Sequence, residues 1–288
     1  MVKKSIFSIL AFIFLTGFNY EICAIGSTAI SERDISLRAQ VSEIYYPGSG
    51  KNYVGLAQLI KGDLSLEILK SLGYKIDDIL LDGEAKRIDD NTKAPEVLKK
   101  IKDVYGQDRE AYLRTFVKIV YAERVLYSDI FLKSKEIHKE QYLKAGNFLK
   151  SVLSSPKSFK KVAKKIGLET ATLKLSLKKG IMPYGDKRMK EEPGAGIDQA
   201  KRLIDSVSKI KKGEVYPALI EWSEGYQVIR LLKKEGEEFI IESASIPKRN
   251  YDEWYWGQAP KIPVKINDEA LKQELLKEVS WARKLKLD

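Results

Sequence analysis

Residues that could carry acid–base or nucleophilic chemistry are few in this chain of 288 residues. It has one histidine, His138, and one cysteine, Cys23. A single imidazole supports neither a Ser-His-Asp arrangement nor a zinc site built from several histidines and cysteines. No glycine-rich loop precedes a Lys-Ser or Lys-Thr pair, as a phosphate-binding loop would require. The sequence therefore argues against these enzyme classes, and we expect no cofactor and no metal.

The remaining chemical candidates have structural explanations. The acidic pairs Asp77-Asp78 and Asp89-Asp90 fall at the ends of predicted helices, where carboxylates cap backbone N–H groups and suit the helix dipole. His138 follows a run of lysine and glutamate residues on a predicted helix. We therefore interpret His138 as a solvated surface residue.

The first residues predict export. Lys3 and Lys4 precede an apolar run over residues 5–18, which is too short for a membrane helix of about 20 residues but suits a signal peptide. Cleavage near Ala24 would leave a periplasmic protein with no cysteine and no membrane span. A lipid anchor on Cys23 is a weaker alternative, because Glu21 and Ile22 rather than small residues precede the cysteine. An uncleaved membrane anchor is the other weaker alternative.

The chain is basic, with 51 lysines and arginines against 40 acidic residues and a formal charge of +11. The charges alternate in sign along helical segments such as residues 133–140, which is typical of a salt-bridged surface. Export makes nucleic acid an unexpected partner.

Helices are predicted through the first half of the chain. Ser31, with Asp34 three residues later, starts a helix that runs toward Tyr45. Further helices are expected over about 56–72, 77–90 and 96–105, the last opened by Pro95. A long helix begins near Asp108, and we expect it to continue past His138 toward Leu149.

The pattern changes after Pro156. Residues 170–177, 219–222, 226–232 and 239–246 read as strands, and residues 159–166 and 197–210 as helices. The predicted fold is α+β, with an all-α module over residues 25–155 and a small α/β domain over residues 156–248. A C-terminal tail over residues 249–288 ends in a helix capped by Asn267-Asp268, which we expect to pack back on the helical module.

The N-terminal module resembles the helical chaperone module of SurA-like periplasmic proteins. The similarity rests on the order of four segments: Ile30-Ser-x-x-Asp34-Ile35-x-x-Arg38, Leu59-Ile60-x-x-x-Leu64, Gly73-Tyr-Lys-Ile76-Asp77-Asp78 and Gln107-Asp108-Arg109-Glu110-Ala111-Tyr112-Leu113. The resemblance covers roughly residues 28–135. It implies a protein that holds unfolded envelope polypeptides, outer-membrane proteins among them.

The second domain resembles the parvulin-type (PpiC-like) prolyl isomerases. Three segments carry the similarity: Ser158-Phe159-x-x-Val162-Ala163, Ile210-Lys-Lys-Gly213-Glu214-Val215-x-Pro217 and Gly225-Tyr226-Gln227-Val228-Ile229-Arg230-Leu231. The family implies peptidyl-prolyl cis-trans isomerase activity. By position relative to these motifs, Met189, Leu203, Tyr226 and Gln227 are the candidate residues of the proline-binding pocket.

This sequence departs from the parvulin pattern at the residues that matter for catalysis. Gln227 stands where the family has the histidine of its Gly-Tyr-His motif, and the first strand, which carries a second histidine, is missing. We expect residues 239–246 to fill the sheet position of that strand. Gln227 can form hydrogen bonds but cannot change charge near neutral pH, so we predict no catalytic residue and no efficient isomerisation.

Four aromatic residues in the tail form the second candidate binding group: Tyr251, Trp254, Tyr255 and Trp256. Aromatic side chains dominate interaction hot spots, so these rings could contact unfolded clients. Alternatively, they staple the tail to the helical module. The function we predict is an exported folding helper that binds unfolded or proline-containing polypeptides. The alternatives are an active prolyl isomerase and an envelope assembly scaffold.

Overall fold

The computed structural model describes residues 21–184 and 196–288. The chain is a mixed α+β protein with two antiparallel sheets. It divides into two compact units: unit 1 contains the described residues up to Ile130 together with Tyr251–Asp288, and unit 2 is Phe131–Asn250. Within the described ranges, no helix combines the length and apolar character needed to cross a bilayer.

Unit 1 is mainly helical. Its first four helices are α1 (Glu32–Tyr45), α2 (Asn52–Ser71), α3 (Asp78–Asn91) and α4 (Pro95–Tyr105). The helical stretch α5 follows, with α-helical turns at Arg109–Tyr112 and Lys118–Arg124 and π-helical turns at Leu113–Val117 and Val125–Phe131. The tail adds α9 (Tyr251–Gln258) and α10 (Glu269–Glu278), with short 3-10 turns at Ala259–Lys261 and Ser280–Lys284.

Helix starts follow from capping side chains. Ser31 and Asp34 form a reciprocal capping box at the start of α1, with N–H to side-chain oxygen distances of 3.1 and 3.2 Å. Asp77 and Asp268 accept hydrogen bonds from backbone N–H groups at the starts of α3 and α10. These caps satisfy backbone donors that have no partner inside the helix.

The core of unit 1 lies around α2, which is apolar on several sides. Its buried leucines and isoleucines are Leu56, Leu59, Ile60, Leu64, Leu66, Ile68 and Leu69. Two glycines allow close packing of this helix. A Cβ at Gly55 would lie 2.3 Å from the carbonyl oxygen of Ile35 on α1, and one at Gly62 would lie 2.5 Å from Ile119 on α5. Larger residues at these positions would push the helices apart.

A three-stranded antiparallel sheet completes unit 1. Its strands are β1 (Glu21–Ile25), β2 (Thr28–Ser31) and β8 (Val264–Ile266), in the order β2-β1-β8. The middle strand therefore pairs with a strand of the tail, and Cys23 lies opposite Ile266.

Unit 2 is a sheet with helices on both faces. Its strands are β3 (Thr170–Ser176), β4 (Gly180–Pro183), β5 (Ile220–Glu221), β6 (Gly225–Glu235) and β7 (Glu238–Pro247), ordered β4-β3-β7-β6-β5. Its helices are α6 (Lys139–Ser154), α7 (Phe159–Lys165) and α8 (Ile197–Val207), with a 3-10 turn at Pro156–Ser158. The predicted segment 239–246 forms most of β7, at the centre of the sheet.

The structure corrects two boundaries. The helix that begins near Asp108 ends at Phe131, and α6 starts separately at Lys139, so it does not run on past His138. The smaller unit begins near residue 131 rather than 156. The reason is that Phe148 and Val152 of α6 pack with Phe159 and Val228 in one buried cluster of unit 2.

Candidate functional site

The candidate site is a cavity of about 390 Å³ in unit 2, on the face of the sheet that carries α8. Strands β6 and β7 supply half of the lining residues, and the β5–β6 turn, α8 and β4 supply the rest. The lining residues are Ile181, Gln199, Leu203, Trp222, Ser223, Glu224, Gly225, Tyr226, Gln227, Ser245, Ile246 and Pro247. This volume falls in the range of small-molecule and side-chain pockets, about 300–1,000 Å³.

Helix α8 supplies one side of the cavity. Its buried residues Leu203, Ile204 and Val207 pack on the sheet. Gln199 lies one turn before Leu203, on the same helix face, so both line the cavity. Gly196 precedes the helix with a φ of 68°, a left-handed conformation that glycine adopts without strain.

Strand β6 supplies the opposite side. Successive strand residues point to opposite faces of a sheet. Tyr226 packs edge-on against Tyr142 with ring centroids 5.6 Å apart, and it is buried among residues of α6 and α7. Gln227, the next residue, therefore points to the other face, toward α8 and the cavity. Tyr226 meets the cavity through its backbone.

Gln227 is held in a short chain of hydrogen bonds. The indole Nε1–H of Trp222 donates to Oε1 of Gln227 at 2.8 Å, and Nε2 of Gln227 donates to Oγ of Ser243 at 2.6 Å. The Arg202 guanidinium lies 4.5 Å from the centroid of the Trp222 ring, in a cation–π arrangement. Both Gln227 and Ser243 are buried.

The three hydrogen-bonded side chains, Trp222, Gln227 and Ser243, do not titrate near neutral pH. The Gln227 amide uses its carbonyl oxygen to bind Trp222 and one N–H to bind Ser243. Glu224, an exposed residue, places a carboxylate at the cavity wall. The arrangement can therefore receive an apolar ring against Leu203 and Trp222, with fixed uncharged dipoles behind it.

The structure brings together three of the predicted pocket residues, Leu203, Tyr226 and Gln227. Met189 lies outside the described residues. Sequence reasoning missed Trp222, Ser243 and Ile181. A tryptophan at the end of a short predicted strand was the available signal for Trp222. Nothing local marked Ser243, which meets Gln227 across β6 and β7.

The aromatic group of the tail lies in unit 1, within α9. Trp254 and Tyr255 are buried, and the Tyr255 hydroxyl donates to the carbonyl oxygen of Lys61 on α2 at 2.9 Å. Tyr251 packs against Tyr127 with centroids 5.0 Å apart. Trp256 is partly exposed and stacks on Trp281 at 5.1 Å. These contacts favour the interpretation that the rings hold the tail on the helical module, rather than forming a client-binding surface.

The interpretation of His138 as a solvated surface residue is wrong, because its side chain is fully buried. Nε2 lies 2.7 Å from the carbonyl oxygen of Phe131, and Nδ1 accepts the backbone N–H of Arg249 at 3.2 Å. Burial lowers the pKa of His138 below its usual value. The neutral imidazole thus joins the first and last segments of unit 2, and it does not line the cavity.

A second cavity, of about 660 Å³, lies in unit 1 between α2, α3 and α5. Its apolar lining includes Leu66, Leu81 and Leu113, and its cations include Arg109 and Arg114, which pair with carboxylates. The neighbouring segment exposes three apolar residues: Leu72, Tyr74 and Ile79.

Among the described residues, no group of three or more His, Cys, Asp or Glu side chains is arranged to hold a metal ion. No protein-family model matches the chain, and no curated protein matches it at a significant level.

Proposed function

We propose that this protein is an exported folding helper that binds unfolded or proline-containing envelope polypeptides without efficient isomerisation. The observation that carries the proposal is the cavity of unit 2, where Leu203 and Trp222 flank the hydrogen-bonded Gln227. The exposed apolar segment beside the unit 1 cavity adds a second surface that suits an unfolded chain, since contiguous exposed apolar residues mark interaction sites.

Binding follows from the composition of the wall. An apolar ring such as that of proline gains from burial against Leu203 and Ile181, about 25 cal/mol for each Å² removed from water. Exposed Ser245 remains available for a hydrogen bond to the polypeptide beside the ring.

Weak catalysis is expected from the hydrogen bonds that join Trp222, Gln227 and Ser243. Rotation about a prolyl bond crosses a barrier of about 18–20 kcal/mol. Only contacts that are stronger to the twisted amide than to the planar one accelerate it. Here the side chains of Trp222, Gln227 and Ser243 bind one another. We therefore expect the cavity to bind the twisted amide no more strongly than the planar forms.

The binding test fills the cavity with a large side chain at an exposed position. Ser245→Phe places a ring over the cavity from β7, and we expect at least a tenfold loss of affinity for a proline-containing peptide. The matched control is Glu235→Phe, which places the same ring at the far end of β6, where only an exposed ion pair with Lys233 is lost. Isothermal titration calorimetry on the full chain measures both.

Equal affinity in Ser245→Phe, Glu235→Phe and the unchanged protein would contradict the proposed binding site. Suppressed aggregation of a denatured client, followed by light scattering, measures the helper activity separately from peptide binding.

Catalysis is measured with a protease-coupled assay on a proline tetrapeptide. We expect a rate within a few-fold of the uncatalysed reaction at micromolar protein. A rate that approaches that of an active parvulin, and that Ser245→Phe removes, would replace this proposal with a true prolyl isomerase.

A further inference from the structure

The most N-terminal strand of the described chain is built into unit 1. β1 is the central strand of its sheet and pairs with β2 on one side and with β8 on the other. A central strand has both backbone edges engaged, so its removal leaves two strands with no partner between them.

Both the side chains and the backbone of β1 make contacts within unit 1. Cys23 and Ile25 are fully buried, and Ile22 is nearly so. The carbonyl oxygen of Ile22 accepts the backbone N–H of Asn267 at 2.8 Å, and that of Glu21 accepts the Asn267 side-chain amide at 2.9 Å. Each contact fixes the tail to the beginning of the described chain.

This arrangement conflicts with cleavage next to Ala24, where the sequence alone places the end of the leader. Hydrolysis of the bond between Ala24 and Ile25 would remove most of β1, together with Ile22 and Cys23. The β2 and β8 strands would lose their pairing with β1, and apolar core would be exposed.

We propose that the leader is removed upstream of Glu21 and that Glu21–Ile25 remains in the mature protein. The step is the hydrolysis of one peptide bond by a signal peptidase, with water supplying the new carboxyl and amino ends. The inference rests on the proposed export. It also keeps Cys23 as a core residue, and burial raises the pKa of its thiol to about 12, so it stays protonated.

A small residue is required before the bond that is cut. Upstream of β1, the small residues nearest the end of the apolar run are Thr16 and Gly17. Upstream processing therefore predicts that a large residue at Gly17 blocks cleavage, whereas a large residue at Ala24 does not. Ala24 is only partly buried, so Ala24→Leu leaves the strand able to form.

The test uses the full chain, expressed in a bacterium that exports it. Intact-mass spectrometry and N-terminal sequencing of the periplasmic fraction identify the mature end. We expect a terminus at or before Glu21 in the unchanged chain and in Ala24→Leu, and an unprocessed chain in Gly17→Leu.

A mature terminus at Ile25, with processing lost in Ala24→Leu, would overturn the proposal, as would an exported chain that is never cut. Neither result depends on client binding, so the processing site and the proposed function fail or stand separately. Thermal unfolding of the purified mature chain adds a structural readout, since loss of β1 would lower the midpoint of unit 1 by several degrees.

Discussion

At the scale of single residues, Gln227 is the centre of the candidate site. Its side chain uses both functional groups, one with Trp222 and one with Ser243. Replacing it by leucine would leave the indole N–H of half-buried Trp222 and the buried hydroxyl of Ser243 without their partner. Such unsatisfied groups cost about 1–3 kcal/mol.

We therefore expect Gln227→Leu to lower the free energy of unfolding by about 1–3 kcal/mol, measured in urea. The matched control is Ser245→Ala, an exposed residue of β7 that lines the same cavity, for which a change within about 0.5 kcal/mol is expected. If both variants unfold at the same urea concentration as the unchanged protein, the hydrogen-bonded chain does not stabilise unit 2.

Asp63 gives unit 1 a pH dependence. Burial raises the pKa of this carboxyl from 3.8 to about 6, and Lys118, 3.8 Å away, offsets only part of that effect. The folded state therefore holds its proton more tightly than the unfolded state. Stability falls as pH rises from about 4 to about 6, and the loss persists above that window.

Asp63→Asn removes the carboxylate, so we expect it to stabilise unit 1 by about 1–3 kcal/mol at pH 7.5 and to change little at pH 4. Chemical unfolding at the two pH values measures the difference. Asp103→Asn, at an exposed position of α4, is the control and should show no such dependence. Equal stability of Asp63→Asn and the parent at pH 7.5 would mean that the buried charge is compensated.

His138 shows why single residues escape prediction. Lysine and glutamate predominate among its neighbours in sequence, which indicates a surface. Its bonding partners are the carbonyl of Phe131 and the N–H of Arg249, and the second lies more than a hundred positions away. Burial of a polar side chain depends on such distant backbone groups, and local composition carries no information about them.

At the scale of elements, helix starts were predicted correctly where a residue within the first turn determines them. The capping residues Ser31, Asp77 and Asp268 fixed three helix starts, and Pro95 fixed a fourth. Four of the five strands of unit 2 were predicted from the sequence pattern, whereas β4, in a segment rich in glycine and proline, was not. β1 was missed because its apolar residues read as the end of a leader, and only pairing with β8 at the other end of the chain reveals a strand.

The helix α9 supports a prediction about the tail. Trp254 is buried in unit 1, and Tyr255 beside it donates to the backbone of α2. Truncating a buried aromatic residue costs about 3–5 kcal/mol because a cavity remains. We expect Trp254→Ala to destabilise unit 1 by that amount, measured by thermal or chemical unfolding.

The control for Trp254→Ala is Tyr46→Ala, since Tyr46 is 72% exposed and should contribute within about 0.5 kcal/mol. A Trp254→Ala protein that keeps its stability and loses only protection of a denatured client would favour the client-contact interpretation instead.

At the scale of the whole molecule, the two units differ in continuity. Unit 2 is one uninterrupted segment, Phe131–Asn250, whereas unit 1 is assembled from both ends of the chain. The sequence pattern predicted the return of the tail to the helical module. It placed the boundary too late because α6 resembles the preceding helices, and only its packing partners in the sheet assign it to unit 2.

This continuity predicts different responses to truncation. A chain that ends at Asn250 lacks β8, α9 and α10, so unit 1 loses one strand pairing and the buried Tyr255. Unit 2 loses no residue. We expect the truncated chain to keep the cooperative unfolding of unit 2 and to lose that of unit 1.

Tryptophan fluorescence separates the two units, because Trp222 is in unit 2 while Trp254, Trp256 and Trp281 all belong to the tail. In the chain ending at Asn250, Trp222 should therefore report one sigmoidal urea transition, while far-UV circular dichroism shows the helical signal of unit 1 already lost. The full chain with the three tail tryptophans changed to phenylalanine is the control, and Trp222 should unfold there at the same urea concentration. A gradual, non-cooperative Trp222 signal in the truncated chain would mean that unit 2 needs unit 1 in order to fold.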